Sequence, residues 1–127
     1  MTAVIRPGQG RVLPLPGRIA TELMSATEGG YDVTVRRVVI PPEGSPGANP
    51  GSARGPHAHP DCAEVILVLA GSGEFTAGEG AWPAGPGDVM VVSPGQPHRT
   101  RNTGTDDLVL FCFFPVPSLT TVEEDPL

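Results

Sequence analysis

The sequence predicts an all-β fold built as a single sandwich or barrel. Short apolar runs alternate with turn residues along the 127 residues of the chain, which include 17 glycines and 16 prolines. No stretch has the spacing of apolar residues that an amphipathic helix requires. Many short strands with turn residues between them are typical of all-β domains, and a chain of this length can bury one core but not two.

Two strands are predicted in the first half of the chain. Residues 31–40 are rich in valine and threonine, whose branched Cβ atoms favour extended backbone. Glu64–Ala70 is apolar on both of its alternating faces, so we expect it to be buried on both sides. The faces consist of Glu64, Ile66 and Val68 on one side and of Val65, Leu67 and Leu69 on the other.

The middle of the chain predicts a compact hairpin and a further strand. A Gly71-Ser72-Gly73 turn precedes the strand at residues 74–77. The fifteen residues between Gly71 and Gly87 are enough for a compact hairpin and no more. Val89–Val92 follows the next glycine- and proline-rich turn.

The last two predicted strands are His98–Asn102 and Leu108–Phe114. In the first of them, Thr100 and Asn102 continue the face that His98 sets. In the second, alternation places Cys112 on one face with Leu108, Leu110 and Phe114, and we expect it to pack in the core.

All three histidines of the chain fall in two short glycine-bounded segments. His57 and His59 are two residues apart and therefore point to the same face of an extended strand, and Glu64 follows after a turn marked by Pro60. His98 lies in the second segment. Three imidazoles and one carboxylate make a four-ligand site, so we predict that these four residues bind one divalent transition metal.

The predicted ligand set leaves one or two positions open in a five- or six-coordinate ion. Water or substrate can bind at such positions, which is typical of catalytic rather than structural sites. Imidazole suits Fe, Ni, Cu and Zn, and carboxylate suits Mn. We favour Fe(II), with Zn, Mn, Ni or Cu as alternatives.

The two segments resemble the two-part motif of the cupin superfamily. Residues 51–71 match the pattern G-x5-H-x-H-x4-E-x6-G at every fixed position. Residues 87–102 match G-x5-P-x-G-x2-H-x3-N except that Ser93 occupies the proline position, with Pro94 one residue later. The departure affects a turn and no ligand. The resemblance implies a small single-domain cupin, a jelly-roll β-barrel with the metal inside one end.

The resemblance also implies an enzyme that acts on a small organic molecule. Cupins with these four ligands include dioxygenases, and we expect oxygenase chemistry with Glu64 as the internal base. With Zn(II) the chemistry would instead be redox-neutral cyclisation, isomerisation, decarboxylation or elimination, as in cupin polyketide cyclases and sugar isomerases. A non-catalytic module that binds a small ligand is the third alternative.

We expect one domain over residues 1–127. It would comprise an N-terminal strand or arm at about 1–30, the metal-binding barrel core at about 31–117 and a short acidic tail at 118–127. Small cupins commonly dimerise, so the resemblance implies a homodimer, for which the apolar segments 12–15 and 111–114 could supply the surface.

A loop at residues 41–56 is dense in Gly, Pro, Ser and Asn and leads directly into His57. It is either a lid over the barrel or a mobile surface insertion. Arg54, its only basic residue, is a candidate contact for an anionic substrate. Further candidates for the cavity lining are Tyr31, Phe75, Trp82, Met90 and, by strand parity, Arg36 or Arg37.

The charge pattern argues against nucleic-acid partners, because the formal net charge is −6 and no basic stripe is present. No apolar run approaches the length that spans a membrane, and the N-terminus lacks the layout of a secretory signal, so we expect a cytoplasmic protein. Neither cysteine is then expected to form a disulfide. Cys62 lies between His59 and Glu64 and could sit beside the metal ligands or simply be buried.

Overall fold

The computed structural model describes residues 2–45 and 55–123. Within these ranges the chain forms eleven β-strands and no helix. The strands are β1 (Arg11–Leu13), β2 (Ile19–Met24), β3 (Thr34–Ile40), β4 (His57–Ala58), β5 (Glu64–Ala70), β6 (Gly73–Ala77), β7 (Gly80–Ala84), β8 (Val89–Val92), β9 (His98–Asn102), β10 (Leu108–Phe114) and β11 (Val122–Glu123).

The strands form two antiparallel sheets that pack as a jelly-roll β-barrel. One sheet has the order β1-β2-β3-β10-β5-β8 and the other the order β11-β4-β9-β6-β7. The predicted all-β fold is therefore confirmed. The predicted hairpin is also confirmed, since β6 pairs with β7 from Gly73 opposite Ala84 to Ala77 opposite Gly80.

The core lies between the two sheets. In β10 the predicted alternation is confirmed, because Leu108, Leu110, Cys112 and Phe114 are buried while the residues between them are only half-buried. The closing turn before β10 is held by Asn102, whose amide nitrogen donates to the carbonyls of Ile40 and Asp106, each at 2.8 Å. Asn102, the buried polar residue that ends the second motif, therefore stabilises this turn.

The expectation that Glu64–Ala70 is buried on both faces was wrong. Glu64, Ile66 and Val68 are buried, but Val65 and Leu67 are only half-buried and Leu69 is 47% exposed. The reason is that the barrel wall is a single sheet here, so the apolar side chains on its outer face lie against neighbouring strands and remain partly open to solvent.

Strand bounds were not predicted for β1, β2 and β11, nor for β7 within the predicted hairpin, because none of these segments shows a clear alternation of apolar and polar residues. β7 contains Pro83, which lacks an N–H group to donate to a neighbouring strand. An edge strand tolerates proline because it has a neighbour on one side only. β2 places the polar Glu22 on its buried face beside Ala20. β1 and β11 have only three and two residues.

The glycine that ends the first motif is required by the backbone. Gly71 has φ +86°, and a Cβ atom there would collide with the carbonyl oxygen of Asp107. Only glycine adopts this conformation without strain and also allows the neighbouring chain to come so close.

Dimerisation stays a prediction. In the segments proposed for it, Val12 is 68% exposed, and Phe111 and Phe113 are half-buried on the outer face of the sheet. Light scattering would test it.

Candidate metal centre

Sheet pairing and one turn bring the four predicted ligands together. His57 begins β4 and lies directly opposite His98, the first residue of β9. His59 follows β4 on the same face of the chain, and Glu64 begins β5 in the facing sheet. The side chains of all four residues therefore lie at the same end of the barrel.

The four side chains form a compact, buried cluster. One ligand atom from each of them lies within 4.8 Å of all the others, and every one of these residues is at most 7% exposed. Oε1 of Glu64 lies 2.9 Å from Nε2 of His98 and 3.4 Å from Nε2 of His59. The ring centres of His57 and His98 are 4.3 Å apart.

Backbone carbonyls fix the orientation of two of the imidazoles. Nδ1 of His98 lies 3.0 Å from the carbonyl oxygen of Gln96, and Nδ1 of His59 lies 3.2 Å from that of Thr120. A carbonyl can only accept, so both Nδ1 atoms donate a proton. Nε2 of each ring therefore faces the cluster, where the protonated ring donates to Glu64 and the neutral ring would offer its lone pair to a metal.

The carboxylate of Glu64 is ionised over almost the whole pH range. Burial raises the pKa of this group, but hydrogen bonds from His59 and His98 and their charge outweigh burial and lower it from 4.5 to about 2. The cluster therefore supplies an anionic oxygen next to three nitrogen donors.

This donor set fits a divalent transition metal. Three imidazole nitrogens and one carboxylate oxygen converge, and all four residues line a common cavity. The chemistry of the donors suits several first-row metals and does not select one. That these residues bind a metal stays a prediction.

The cavity beside the ligands has a volume of about 30 Å³. Its apolar lining includes Val38, Ile66 and Leu110, and its polar lining includes Arg18, Arg36, Thr100 and Cys112. Sequence parity left open whether Arg36 or Arg37 enters the cavity. Arg36 does, and Arg37 is exposed on the outer face.

The other four candidates do not line this cavity. Phe75, Trp82 and Met90 line a separate groove of about 420 Å³ between β7 and β8. Trp82 and Met90 belong to β7 and β8, the edge strands of the two sheets, whose side chains meet outside the ligand cluster. Phe75 lies on β6, directly opposite Trp82. Phe75 alone approaches the ligands, with its ring centre 6.3 Å from that of His98. Tyr31 lines neither of these two spaces.

Both cysteines are buried and free. Cys62 packs in the hydrophobic core. Cys112 also packs there, yet its side chain reaches the ligand cavity. Burial and the nearby carboxylate of Glu64 raise the pKa of the Cys112 thiol well above its usual value, so it stays protonated.

The interpretation of residues 41–56 as a lid, and the role of Arg54, concern a segment whose residues 46–54 lie outside the described ranges. The start of the segment is anchored, because Nε and Nη2 of Arg101 donate to the carboxylate of Glu43 at 2.9 and 3.2 Å.

In the predicted acidic tail, residues 124–127 also lie outside the described ranges, but Val122 and Glu123 form β11 and pair with β4. Over residues 2–45 and 55–123, no helix is long and apolar enough to cross a membrane.

Metal occupancy should fall as the pH is lowered, because a protonated imidazole cannot bind a metal. Glu64, with its pKa lowered to about 2, favours the folded state above pH 4.5 and loses this contribution only as the pH falls through about 2. We therefore expect metal to be released between about pH 7 and pH 4 while Glu64 remains ionised. Elemental analysis after dialysis at stepped pH checks this, with circular dichroism to show that the barrel persists. Full occupancy at pH 4 would contradict histidine ligation.

Comparison with known proteins places this geometry in context. A family model described as "Cupin domain" matches residues 47–114. A glucose-6-phosphate isomerase from Thermococcus kodakarensis is 39% identical over 64 residues, which are 46% of this chain and 34% of that protein.

Solved structures share the fold. The formate complex of Lactobacillus farciminis oxalate decarboxylase aligns with a TM-score of 0.72 and 17% identity over 89% of this chain and 33% of that one. The E162A mutant of Bacillus subtilis oxalate decarboxylase aligns with a TM-score of 0.73 and 20% identity over 91% of this chain and 30% of that one. A further structure of the Bacillus enzyme concerns its Mn(II) centres. The chain spans about a third of the length of these relatives.

Proposed function

Because this chain belongs to the cupin domain family, we propose that it is a metal-dependent enzyme that acts on a small organic molecule. The observation that carries this proposal is the buried cluster of His57, His59, Glu64 and His98, which lines a cavity. A five- or six-coordinate ion held by these four residues would keep a position for water or substrate on the side of the cavity.

The residues of the chain prepare the site for direct binding of a substrate to the ion. A redox metal held there would supply activation of O₂, and zinc would supply Lewis acidity. Val38, Ile66 and Leu110 line the open side and exclude bulk water, which strengthens every electrostatic interaction inside the cavity.

Oxygenase chemistry is our preferred reaction type. Redox-neutral isomerisation or elimination needs a second group that moves protons at pH 7. Among the described residues, the cavity lining offers beyond the ligands only two arginines, Thr100 and the thiol of Cys112, whose pKa burial raises. None of these groups is an effective base at neutral pH.

A redox-neutral reaction is the second candidate, and the sequence relative favours it. The 39% identity to a glucose-6-phosphate isomerase extends over 64 residues, about half of this chain. In that case Glu64 would have to carry the proton itself.

Loading the protein with different metals distinguishes the two candidates. We would prepare the metal-free protein, reload it separately with Fe(II), Mn(II) and Zn(II), and incubate each form with a panel of small organic acids, carbonyl compounds and phenols. Uptake of dissolved O₂ by the iron or manganese form supports the oxygenase. Turnover by the zinc form without O₂ supports the redox-neutral reaction, and no turnover in any form would overturn the proposal of an enzyme.

Replacement of Glu64 by glutamine tests its role as the internal base. The amide keeps the size of the side chain and one oxygen donor but cannot take a proton, so we expect activity per bound metal to fall by about 100-fold or more. Activity is measured at equal metal content, determined by elemental analysis. A Glu64→Gln protein that holds metal and turns over at the rate of the unmodified protein would exclude the role.

A further inference from the structure

We infer that the groove between β7 and β8 is a second binding site, which takes a small organic cation with an apolar body and an ammonium group. The inference does not depend on the proposed function, because none of the predicted metal ligands lines this groove. Its observations are the size of the groove, the fixed position of a tryptophan in it and the charge on its lining.

The groove has the size and the lining of a site for a small molecule. Its volume of about 420 Å³ lies within the roughly 300 to 1,000 Å³ that such sites occupy, whereas the cavity beside the ligands has only about 30 Å³. Apart from Asp88, its described lining is apolar and consists of Phe75, Trp82, Pro83, Val89, Met90 and Val91.

This apolar lining is in contact with solvent. Trp82 is 52% exposed, Val89 57% and Val91 70%. Because β7 and β8 are edge strands of different sheets, the described strands leave the groove uncovered. Single exposed apolar residues are common on protein surfaces, but here several of them line one concave space. A ligand with an apolar body would remove this surface from water.

Trp82 is held in place although half of its surface is exposed. The benzene part of the indole lies against the backbone of Gly80, where a Cβ atom would overlap it. The ring centre of Trp82 also lies 6.1 Å from that of Phe75, its direct partner on β6, and the two ring planes are tilted by 33°. Phe75 is itself buried. The indole is therefore oriented before a ligand arrives, which lowers the entropic cost of binding.

Asp88 carries the only charge among the described residues that line the groove. Its side chain is restrained, since Oδ2 accepts from the N–H group of Gly85 at 2.8 Å. The turn that contains both residues is tied to β5, because Gly87 donates to the carbonyl of Val68 and Val68 donates to that of Asp88, at 2.9 and 3.0 Å.

The groove thus combines a carboxylate with an indole ring, and both attract a cation. The carboxylate does so by its charge, and the indole does so through the negative face of its π system. An anion would be repelled by Asp88 and by the net charge of −6 on the chain. A neutral apolar molecule would gain the contacts with the lining but not the attraction of the charge.

The test uses the intrinsic fluorescence of the protein, because Trp82 is the only tryptophan in the chain and lines the groove. The purified protein is titrated with three compounds of similar size that differ in charge: phenethylammonium, the neutral phenethyl alcohol and the anionic phenylacetate. A metal chelator in the buffer prevents any of them from binding through a metal. Isothermal titration calorimetry measures the same affinities without the indole signal.

We expect phenethylammonium to bind most tightly, phenethyl alcohol less tightly and phenylacetate least. Asp88→Asn should weaken the binding of phenethylammonium by about 3- to 5-fold and leave that of phenethyl alcohol unchanged, because the attraction of an exposed charge is modest. Val91→Lys, which places a cation on the lining at an exposed position, should weaken phenethylammonium binding by about 5- to 10-fold.

The matched control is Asp32→Asn, which removes an exposed carboxylate that does not line the groove and should change none of the affinities. Equal effects of Asp88→Asn and Asp32→Asn would overturn the role of Asp88. Equal affinity for the three compounds, or tightest binding of phenylacetate, would overturn the cation class, and this comparison needs no variant to fold. Absence of binding by all three would overturn the site. A Trp82 emission that shifts with protein concentration alone would show that a second copy covers the groove, which would also overturn the inference.

Discussion

Purified His98→Ala protein is expected to contain no transition metal, whereas the unmodified protein made in the same medium should carry close to one ion per chain. His98 is 2% exposed, and its Nε2 lies 2.9 Å from Oε1 of Glu64 at the centre of the cluster. Alanine removes one of three nitrogen donors and leaves a space that water fills. We expect the affinity for the metal to fall on the order of 100-fold or more.

Elemental analysis measures the metal content, and Arg101→Ala serves as the control. Arg101 lies on the same strand as His98 but on its outer face, where it pairs with Glu43. The control should therefore keep its metal. Stoichiometric metal in His98→Ala would show that this histidine is not a ligand.

The same variant should reveal what the ligand cluster does to stability. In the unmodified protein without metal, His98 and His59 both donate to the buried carboxylate of Glu64 and lower its pKa to about 2. Losing one donor leaves burial less opposed, so the pKa of Glu64 should rise. The barrel of the variant should then be less stable than the metal-free unmodified protein by about 1 to 3 kcal/mol at neutral pH.

The clustering of the four candidate ligands could be predicted from sequence because their spacing is a local property. Two histidines two residues apart share a face of any strand, and Pro60 forces a turn before Glu64 returns. The alternation in Leu108–Phe114 was likewise predictable, since the buried side of that strand is uniformly apolar except for a small thiol.

The groups that orient the ligands could not be predicted in this way. His98 and His59 are oriented by the backbone carbonyls of Gln96 and Thr120. Every residue has such a carbonyl, so residue type does not indicate which of them accepts a hydrogen bond. Thr120 also precedes β11 in a segment that its charge suggested was a solvated tail.

The second missed feature was Glu22. A glutamate in the middle of a short segment hides the alternation that would mark β2 as a strand. Only the register, which sets Glu22 directly opposite Arg36, shows that the two charges form a pair on the inner face. Sequence parity alone left Arg36 and Arg37 equivalent, because it does not say which face of the sheet is inside.

Phe114→Ala is expected to have the largest effect on the fold. Phe114 is 2% exposed, packs edge-on against His59 at 5.0 Å between ring centres and lies beneath the guanidinium of Arg36. Truncation leaves a cavity in the core and should lower the free energy of unfolding by about 3 to 5 kcal/mol. Urea denaturation of the metal-free protein measures this loss.

Phe113→Ala is the matched control, because Phe113 is the neighbouring residue on the half-buried outer face of β10. The free energy of unfolding should fall clearly less in Phe113→Ala, and an equal fall in both variants would contradict the assignment of Phe114 to the core.

A third variant, Phe114→Leu, separates the effect of core packing from that of the ring contacts. Leucine refills most of the cavity and should recover much of the stability. It offers no ring edge to His59, so metal binding should remain weaker than in the unmodified protein. Recovery of stability without recovery of binding would assign to this one ring both the support of the core and the alignment of the site.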